Sequence, residues 1–222
     1  MATVSSRISL PVSPLSAGSP DYWAGACRTL SRNDPVMRRL IASFPGSVLT
    51  SRGQAFVTLV RSIVGQQISV KAADAVWSRF GQAVEDISPA AILAADPDVL
   101  RAAGLSARKV EYVRHLAERF GQEHIRPEHW HAMDDAAVID ELVQTRGIGI
   151  WTAEMLLIFN LQRPNVFPLD DIGLQKAVAL HYCNGVRPSR AELRDIGERW
   201  APWRSVATWF LWRSLDPVPV EY

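Results

Sequence analysis

Apolar residues recur at helical spacing along nearly the whole chain. Phe56, Leu59, Val60, Ile63 and Val64 fall on one face of a predicted helix, and Val70, Ala73, Trp77 and Phe80 on one face of the next. Asp34-Pro35 reads as a cap followed by a first-turn proline, opening a segment that ends near Phe44-Pro45. Ser88-Pro89 and Asp96-Pro97 look like two further starts, with Gly104 as a stop. Ser106 opens a helix with Val110, Val113, Leu116, Ala117 and Phe120 on one face, ended by Gly121. Asp134 caps one that runs to about Gln144. Ile150 to Leu161 follows a Gly-Ile-Gly break, and Asp171 to about Cys183 follows a proline-bearing turn. Ser189 with Glu192 makes a capping box, and a last helix spans about Trp203 to Leu215. Residues 124–133 carry no clear pattern and read as a linker. Without a period-2 strand or an internal repeat, the fold class is all-α.

Composition narrows the partners. A chain of 222 residues buries a substantial core as one compact domain, with room for two lobes. Lys plus Arg total 24 against 23 acidic residues, a balance that argues against coating nucleic acid through a broad basic surface. It permits a small footprint on a few phosphates. Cys27 and Cys183 are two cysteines far apart, expected as reduced thiols. They cannot supply the four thiolates of an iron–sulfur cluster, and no Cys/His spacing suits zinc. The five histidines are scattered and read as structural or surface groups. No run of about 20 apolar residues is present, so no membrane partner is expected. Met1 to Pro20, rich in Ser and Pro, is expected to be a loose arm and not a secretory signal, which implies a cytoplasmic protein.

The stretch from Leu142 to Glu154 carries the most chemistry. Gly147 and Gly149 flank Ile148, permitting a tight turn with an aliphatic plug, and the helix that follows presents unpaired N–H groups and its positive dipole end. That suits a phosphate oxygen. Alone, Gly-x-Gly fits an ordinary αα-corner. With Leu142, Thr152, Ala153, Leu156 and Leu157 around it, the stretch resembles the helix-hairpin-helix motif, which holds DNA by backbone amides and not by a basic patch. The resemblance implies a DNA-binding hairpin at Gly147, Ile148, Gly149, Trp151 and Thr152. It also implies a monovalent cation (Na or K) between the carbonyls of Val143, Thr145 and Ile148 and a DNA phosphate, with no other cofactor.

About twenty residues later comes Asn165-Val166-Phe167-Pro168-Leu169-Asp170-Asp171-Ile172-Gly173. Either Asp alone reads as a helix cap. A hairpin, a proline-bearing loop and then an Asp at a helix start, in that order, resembles the helix-hairpin-helix (HhH-GPD) DNA glycosylase superfamily. Residues 61–69 (Arg-Ser-Ile-Val-Gly-Gln-Gln-Ile-Ser) and 198–205 (Glu-Arg-Trp-Ala-Pro-Trp-Arg-Ser) are similar to its 3-methyladenine DNA glycosylase II group, over roughly residues 30–215. The resemblance implies a two-lobed helical fold with the active-site cleft between the lobes. Residues 1–20 then form an arm and 21–222 the core, with 57–157 as a central lobe holding the hairpin at 142–157, and 21–56 plus 158–222 as the second.

The same resemblance implies the chemistry. Asp171 is the catalytic carboxylate and Asp170 a helix cap or neighbour. Breaking the bond from base nitrogen to C1′ develops positive charge on the sugar, which a fixed carboxylate stabilises while water attacks. Strand-nicking members carry a Lys two residues after the second hairpin glycine, whose amine attacks C1′. Trp151 stands there, implying a monofunctional enzyme that leaves an abasic site in double-stranded DNA. The target base must be flipped out first. Gln67 matches the wedge position that fills the gap, with Gln66 in support; a helix-capping or loop-bracing amide is the other reading of Gln67. Trp151 and Trp212 match the aromatic base pocket, with Met155 and Ile172 where further aromatics stand in relatives. Indole faces attract a cationic alkylpurine. Of the other tryptophans, Trp23, Trp77, Trp130 and Trp200 are expected in packing, while Trp203 and Trp209 fit either pocket or core. Two rival functions stay open: a same-fold glycosylase for deaminated or oxidised purines, and a non-catalytic DNA-binding module. A monomer is expected.

Overall fold

The computed structural model describes residues 18–51, 53–84 and 86–215. Most of the expected N-terminal arm therefore lies outside the described residues. Among them the chain is helical without strands: α1 (Trp23–Asn33), α2 (Pro35–Ser43), α3 (Ala55–Gly65), α4 (Val70–Val84), α5 (Pro89–Ala94), α6 (Pro97–Ala102), α7 (Ala107–Gly121), α8 (Asp135–Val143), α9 (Ile150–Phe159), α10 (Ile172–Tyr182), α11 (Arg190–Glu198) and α12 (Arg204–Leu215).

The helix starts are chemically specified. Asp34, Ser88, Asp96, Ser106, Asp134 and Ser189 each accept a backbone N–H two or three residues on, and proline follows the first three. Each such cap stabilises its helix by about 1 kcal/mol. Both halves of the Ser189–Glu192 capping box form.

Two elements depart from the sequence reading. α1 precedes the first expected helix, and only Trp23, Ala26 and Leu30 are buried in it. The polar residues between them obscure the period. The linker at 124–133 contains a 3-10 helix, Pro127–Ala132, whose Trp130 is fully buried. Its three-residue turn does not follow the 3.6 period by which helices are read.

Contacts group α3 with α4, α7 and α9, α5 and α6 with α7, and α8 with α9; α1, α2, α10 and α12 form a second set. One continuous cluster of buried apolar side chains runs through both sets, from Trp23 to Leu211. Every residue from Met155 to Phe159 is buried, so α9 is enclosed on all sides while Ile150 at its start is exposed. A helix apolar all round belongs inside a core. Its N-terminus emerges at the surface, and that places the hairpin.

Asp34 clamps the second set. Its Oδ1 caps α2, while its Oδ2 accepts from Tyr182 Oη at 2.9 Å and from Trp200 Nε1 at 3.1 Å. Trp23, Trp130 and Trp200 are buried and Trp77 stacks on Phe80, as packing residues do. Trp209 packs edge-on to Trp23, and Trp203 stacks on Tyr22. No helix of the described residues is long and apolar enough to cross a membrane.

Candidate active site

Asp171 is the N-cap of α10. Its Oδ1 accepts the Leu174 N–H at 2.5 Å and the Trp212 Nε1–H at 2.7 Å, and its Oδ2 accepts the Trp151 Nε1–H at 2.8 Å. The carboxylate is thus held by the first turn of α10, the start of α9 and the middle of α12, and the residue is only 8% exposed. Gly173 eases this approach: a Cβ there would lie 3.1 Å from Asp171 Oδ1 and 3.2 Å from the Trp212 ring, tighter than ordinary contact.

The cap falls to Asp171 and not to Asp170. Asp170 is the neighbour, pointing outward into a two-point ion pair with Arg190, whose guanidinium holds its carboxyl below the usual range. Glu154, three residues beyond Trp151 on α9, is half-buried. Burial pushes its carboxyl up to about 7, with the charges of Asp170 and Asp171 adding and Arg190 opposing.

A cavity of about 370 Å³ opens between α3, the start of α4 and α9. Its apolar wall is one stripe of α9, Trp151, Met155 and Phe159 at spacing four. Opposite stand Thr58, Arg61, Ser62 and Asp74, with Gln66, Gln67 and Ile68 at the α3–α4 loop. Arg61 donates to Asp74 at 3.2 Å and its guanidinium lies 5.7 Å from the Trp77 ring.

Two expected pocket residues stand elsewhere. Trp212 is not among the lining residues; it stacks on Phe159 (5.6 Å, 15°) and turns its N–H edge to Asp171. Ile172, the first residue of α10, is 66% exposed and lies outside the cavity. Phe159 was not anticipated, although its spacing from Trp151 and Met155 marks the same helix face.

The hairpin joins α8 to α9. Thr145 N–H donates to Leu142 O, Ile148 N–H to Thr145 O at 3.0 Å, and Ile148 is buried as the plug. Gly147 has φ +84°, and a Cβ there would run into the Tyr112 ring. Gly149 differs. It caps α9 with φ −97° and ψ 173°, and a Cβ there would meet no atom within 4 Å. The α9 start has no side-chain cap, so its leading N–H groups face outward beside that open space. Thr145 Oγ1 is buried without a hydrogen-bond partner.

Gln66 and Gln67 follow α3 directly. Gln66 Nε2 donates to Gly147 O at 2.8 Å, and Gln67 is exposed with φ +60°. Among the described residues no group of three or more His, Cys, Asp or Glu is placed to hold a metal ion.

Against known proteins, the family described as HhH-GPD superfamily base excision DNA repair protein matches residues 60–202. DNA-3-methyladenine glycosylase 1 of Schizosaccharomyces pombe is 30% identical over 189 residues, covering 83% of each chain. The crystal structure of a DNA-3-methyladenine glycosidase from Bacillus halodurans superposes with a TM-score of 0.79 at 32% identity, covering 92% of this chain and 93% of that one. The S. pombe 3-methyladenine DNA glycosylase in complex with abasic DNA superposes with a TM-score of 0.75 at 29% identity, covering 89% and 99%. With nearly two thirds of its length inside the family match, this chain belongs to the HhH-GPD superfamily of base excision DNA repair proteins.

Proposed function

We propose that this protein is a monofunctional DNA glycosylase that hydrolyses the N-glycosidic bond of alkylated purines in double-stranded DNA. The observation that carries the reading is Asp171, a buried carboxylate fixed by three N–H donors, one from Trp151, whose ring lines the cavity. As the bond from base nitrogen to C1′ breaks, the electron pair leaves with the base and positive charge develops on the sugar. A pre-oriented carboxylate stabilises that charge without reorganising. Water then adds to C1′ and gives up its proton to the Asp171 carboxylate, leaving an abasic site.

The lining favours an alkylpurine. A cationic methylpurine against Trp151 and Phe159 gains about 0.5–2 kcal/mol over a neutral base. Where strand-nicking relatives carry an attacking lysine, this chain has an indole whose N–H is committed to Asp171. That supports hydrolysis without a covalent intermediate.

The hairpin supplies the grip. The start of α9 offers its N–H groups beside Gly149, where the open space admits a phosphate oxygen. The carbonyls of Val143, Thr145 and Ile148, hard oxygen donors at the end of α8 and in the turn that follows it, suit a sodium or potassium ion. Thr145 O already accepts one N–H, leaving its second lone pair. When bound, the ion adds positive charge toward the DNA backbone. Gln67 enters the stack as the flipped base leaves it. The protein acts as a monomer.

A panel of duplexes bearing 3-methyladenine, 7-methylguanine, hypoxanthine and 8-oxoguanine, assayed with the parent and Asp171→Asn, tests the reading. Release of the methylated purines by the parent alone is expected. Preference for hypoxanthine or 8-oxoguanine would reassign the substrate class, and no release at all would leave a DNA-binding module.

A further inference from the structure

We propose that Lys109 is a positioning residue that sets Gln67 for insertion into the duplex, by locking the end of α3 to the hairpin side of the site. The proposal rests on the reading of Gln67 as the wedge. Lys109 lies in the first turn of α7 and belongs to neither motif read from the sequence. Its Nζ donates to Val64 O at 2.7 Å and to Gln66 O at 2.8 Å. The last carbonyls of a helix have no partner within it, and an ammonium there also meets the negative end of the dipole. The three rotatable donors of a lysine can serve two diverging carbonyls at once.

The second of these bonds matters for function. Gln66 O belongs to the peptide unit that leads into Gln67, so holding that oxygen fixes the plane from which Gln67 departs. Gln67 departs with φ +60°, a left-handed conformation that is uncommon for residues other than glycine. The side chain of Gln66 meanwhile donates to Gly147 O, one residue from the buried plug of the hairpin. Lys109, Gln66, Gln67 and Gly147 line one recess of about 390 Å³ with Gly149. The chain Lys109–Gln66–Gly147 thus makes wedge loop and hairpin one body. Seating the hairpin on a phosphate determines where Gln67 points.

The test uses a duplex with a stable abasic analogue flanked by 2-aminopurine, whose fluorescence rises when its stacking is broken. The parent is expected to raise it on saturation. Lys109→Met is expected to give less than about a third of that rise while binding the duplex within about threefold of the parent, since the phosphate contacts remain. Lys109→Arg, which keeps donors at the helix end, is expected to recover most of it. Gln66→Leu cuts the same tie at Gly147 and is expected to reproduce the partial loss, which covers the case of a poorly folding Lys109→Met. In excision, Lys109→Met is expected to be about tenfold slower on a paired 7-methylguanine, equivalent to one lost positioning contact. The deficit is expected to shrink below about twofold when the lesion faces an abasic analogue and flips at little cost. A full rise with both Lys109→Met and Gln66→Leu, or equal slowing on paired and unpaired lesions, overturns the proposal. So does Lys109→Arg as impaired as Lys109→Met, or a parent that produces no rise. The expected fluorescence pattern from a parent that excises no methylpurine would sink the proposed activity and leave the role of Lys109 standing.

Discussion

Trp212 donates its indole N–H to Asp171 Oδ1 at 2.7 Å while its ring stacks on Phe159 at 5.6 Å. One side chain of α12 thereby braces both the carboxylate and the aromatic wall of the cavity. The same Oδ1 caps α10, so the proposed reacting group is also a structural joint. A residue with both duties cannot be altered without a double consequence, one on stability and one on chemistry.

Asp171→Asn replaces an acceptor-only group by one with an NH2, which must face at least one of three N–H donors. That mismatch is expected to cost about 1–3 kcal/mol of stability. Loss of the charge is expected to lower base release by about 10²–10³-fold, with affinity for abasic-analogue DNA kept within a few-fold. Melting, binding and excision of 3-methyladenine measure the three effects; release at the parent rate would remove Asp171 from the chemistry.

Borohydride traps the Schiff base that an amine nucleophile forms with C1′. With Trp151 at the lysine position and bonded to Asp171, no trapped protein–DNA adduct is expected during turnover. A denaturing gel that shows efficient cross-linking contradicts the hydrolytic assignment.

Trp212→Phe keeps an aromatic ring against Phe159 and deletes one donor to Asp171. Excision of cationic 7-methylguanine and neutral hypoxanthine should both fall about tenfold, the cost of one orienting hydrogen bond. Phe159→Leu acts on the cavity wall instead, and should slow 7-methylguanine about three- to tenfold more than hypoxanthine. Equal sensitivity of the two lesions to Phe159→Leu argues against a cation–π contribution.

The hairpin glycines should respond differently. Gly147→Ala combines φ +84° with a clash against Tyr112 and is expected to destabilise the fold by about 1–3 kcal/mol. Gly149→Ala meets no protein atom and an ordinary φ, so melting is expected to stay within about 0.5 kcal/mol of the parent. Its new methyl projects where a phosphate would sit, and affinity for duplex DNA should drop about tenfold or more. Unchanged affinity in Gly149→Ala would detach the hairpin from DNA binding.

Glu154 makes stability depend on pH. Its carboxyl is raised to about 7 in the fold, above the ordinary glutamate value, so the folded state holds the extra proton. The stabilisation is full below the unfolded value and is lost as pH rises through about 7. Glu154→Gln cannot ionise. The melting temperature of the parent relative to this variant should therefore be higher at pH 5 than at pH 8; a difference independent of pH would show that Glu154 carries no such proton.

Most of this architecture was legible in the chain itself. Caps and first-turn prolines at Asp34, Ser88 and Asp96 are local devices, because a side chain and a backbone N–H two or three residues on need nothing else to meet. Gly147-Ile148-Gly149 and the Asp of the Pro-bearing turn are legible for the same reason: each motif requires particular residues at fixed short spacing. The all-α class followed from periodicity, and two segments escaped it: α1, whose polar residues obscure the period, and the 3-10 helix at Pro127–Ala132, whose turn departs from 3.6.

What meets across the fold was decided by packing. Nothing local distinguishes Asp171 as cap from Asp170, or tells that the Trp151 and Trp212 N–H groups converge on one carboxylate from 20 and 41 residues away. Whether Trp212 lines the cavity or stands behind Phe159 depends on how α12 lies against α10, and the exposure of Ile172 on which side α10 presents. Lys109 is one cation among 24 in the sequence. Its reach to two carbonyls at the end of α3 exists only once α7 is packed there, because a side chain contact between distant residues is set by the relative placement of whole helices.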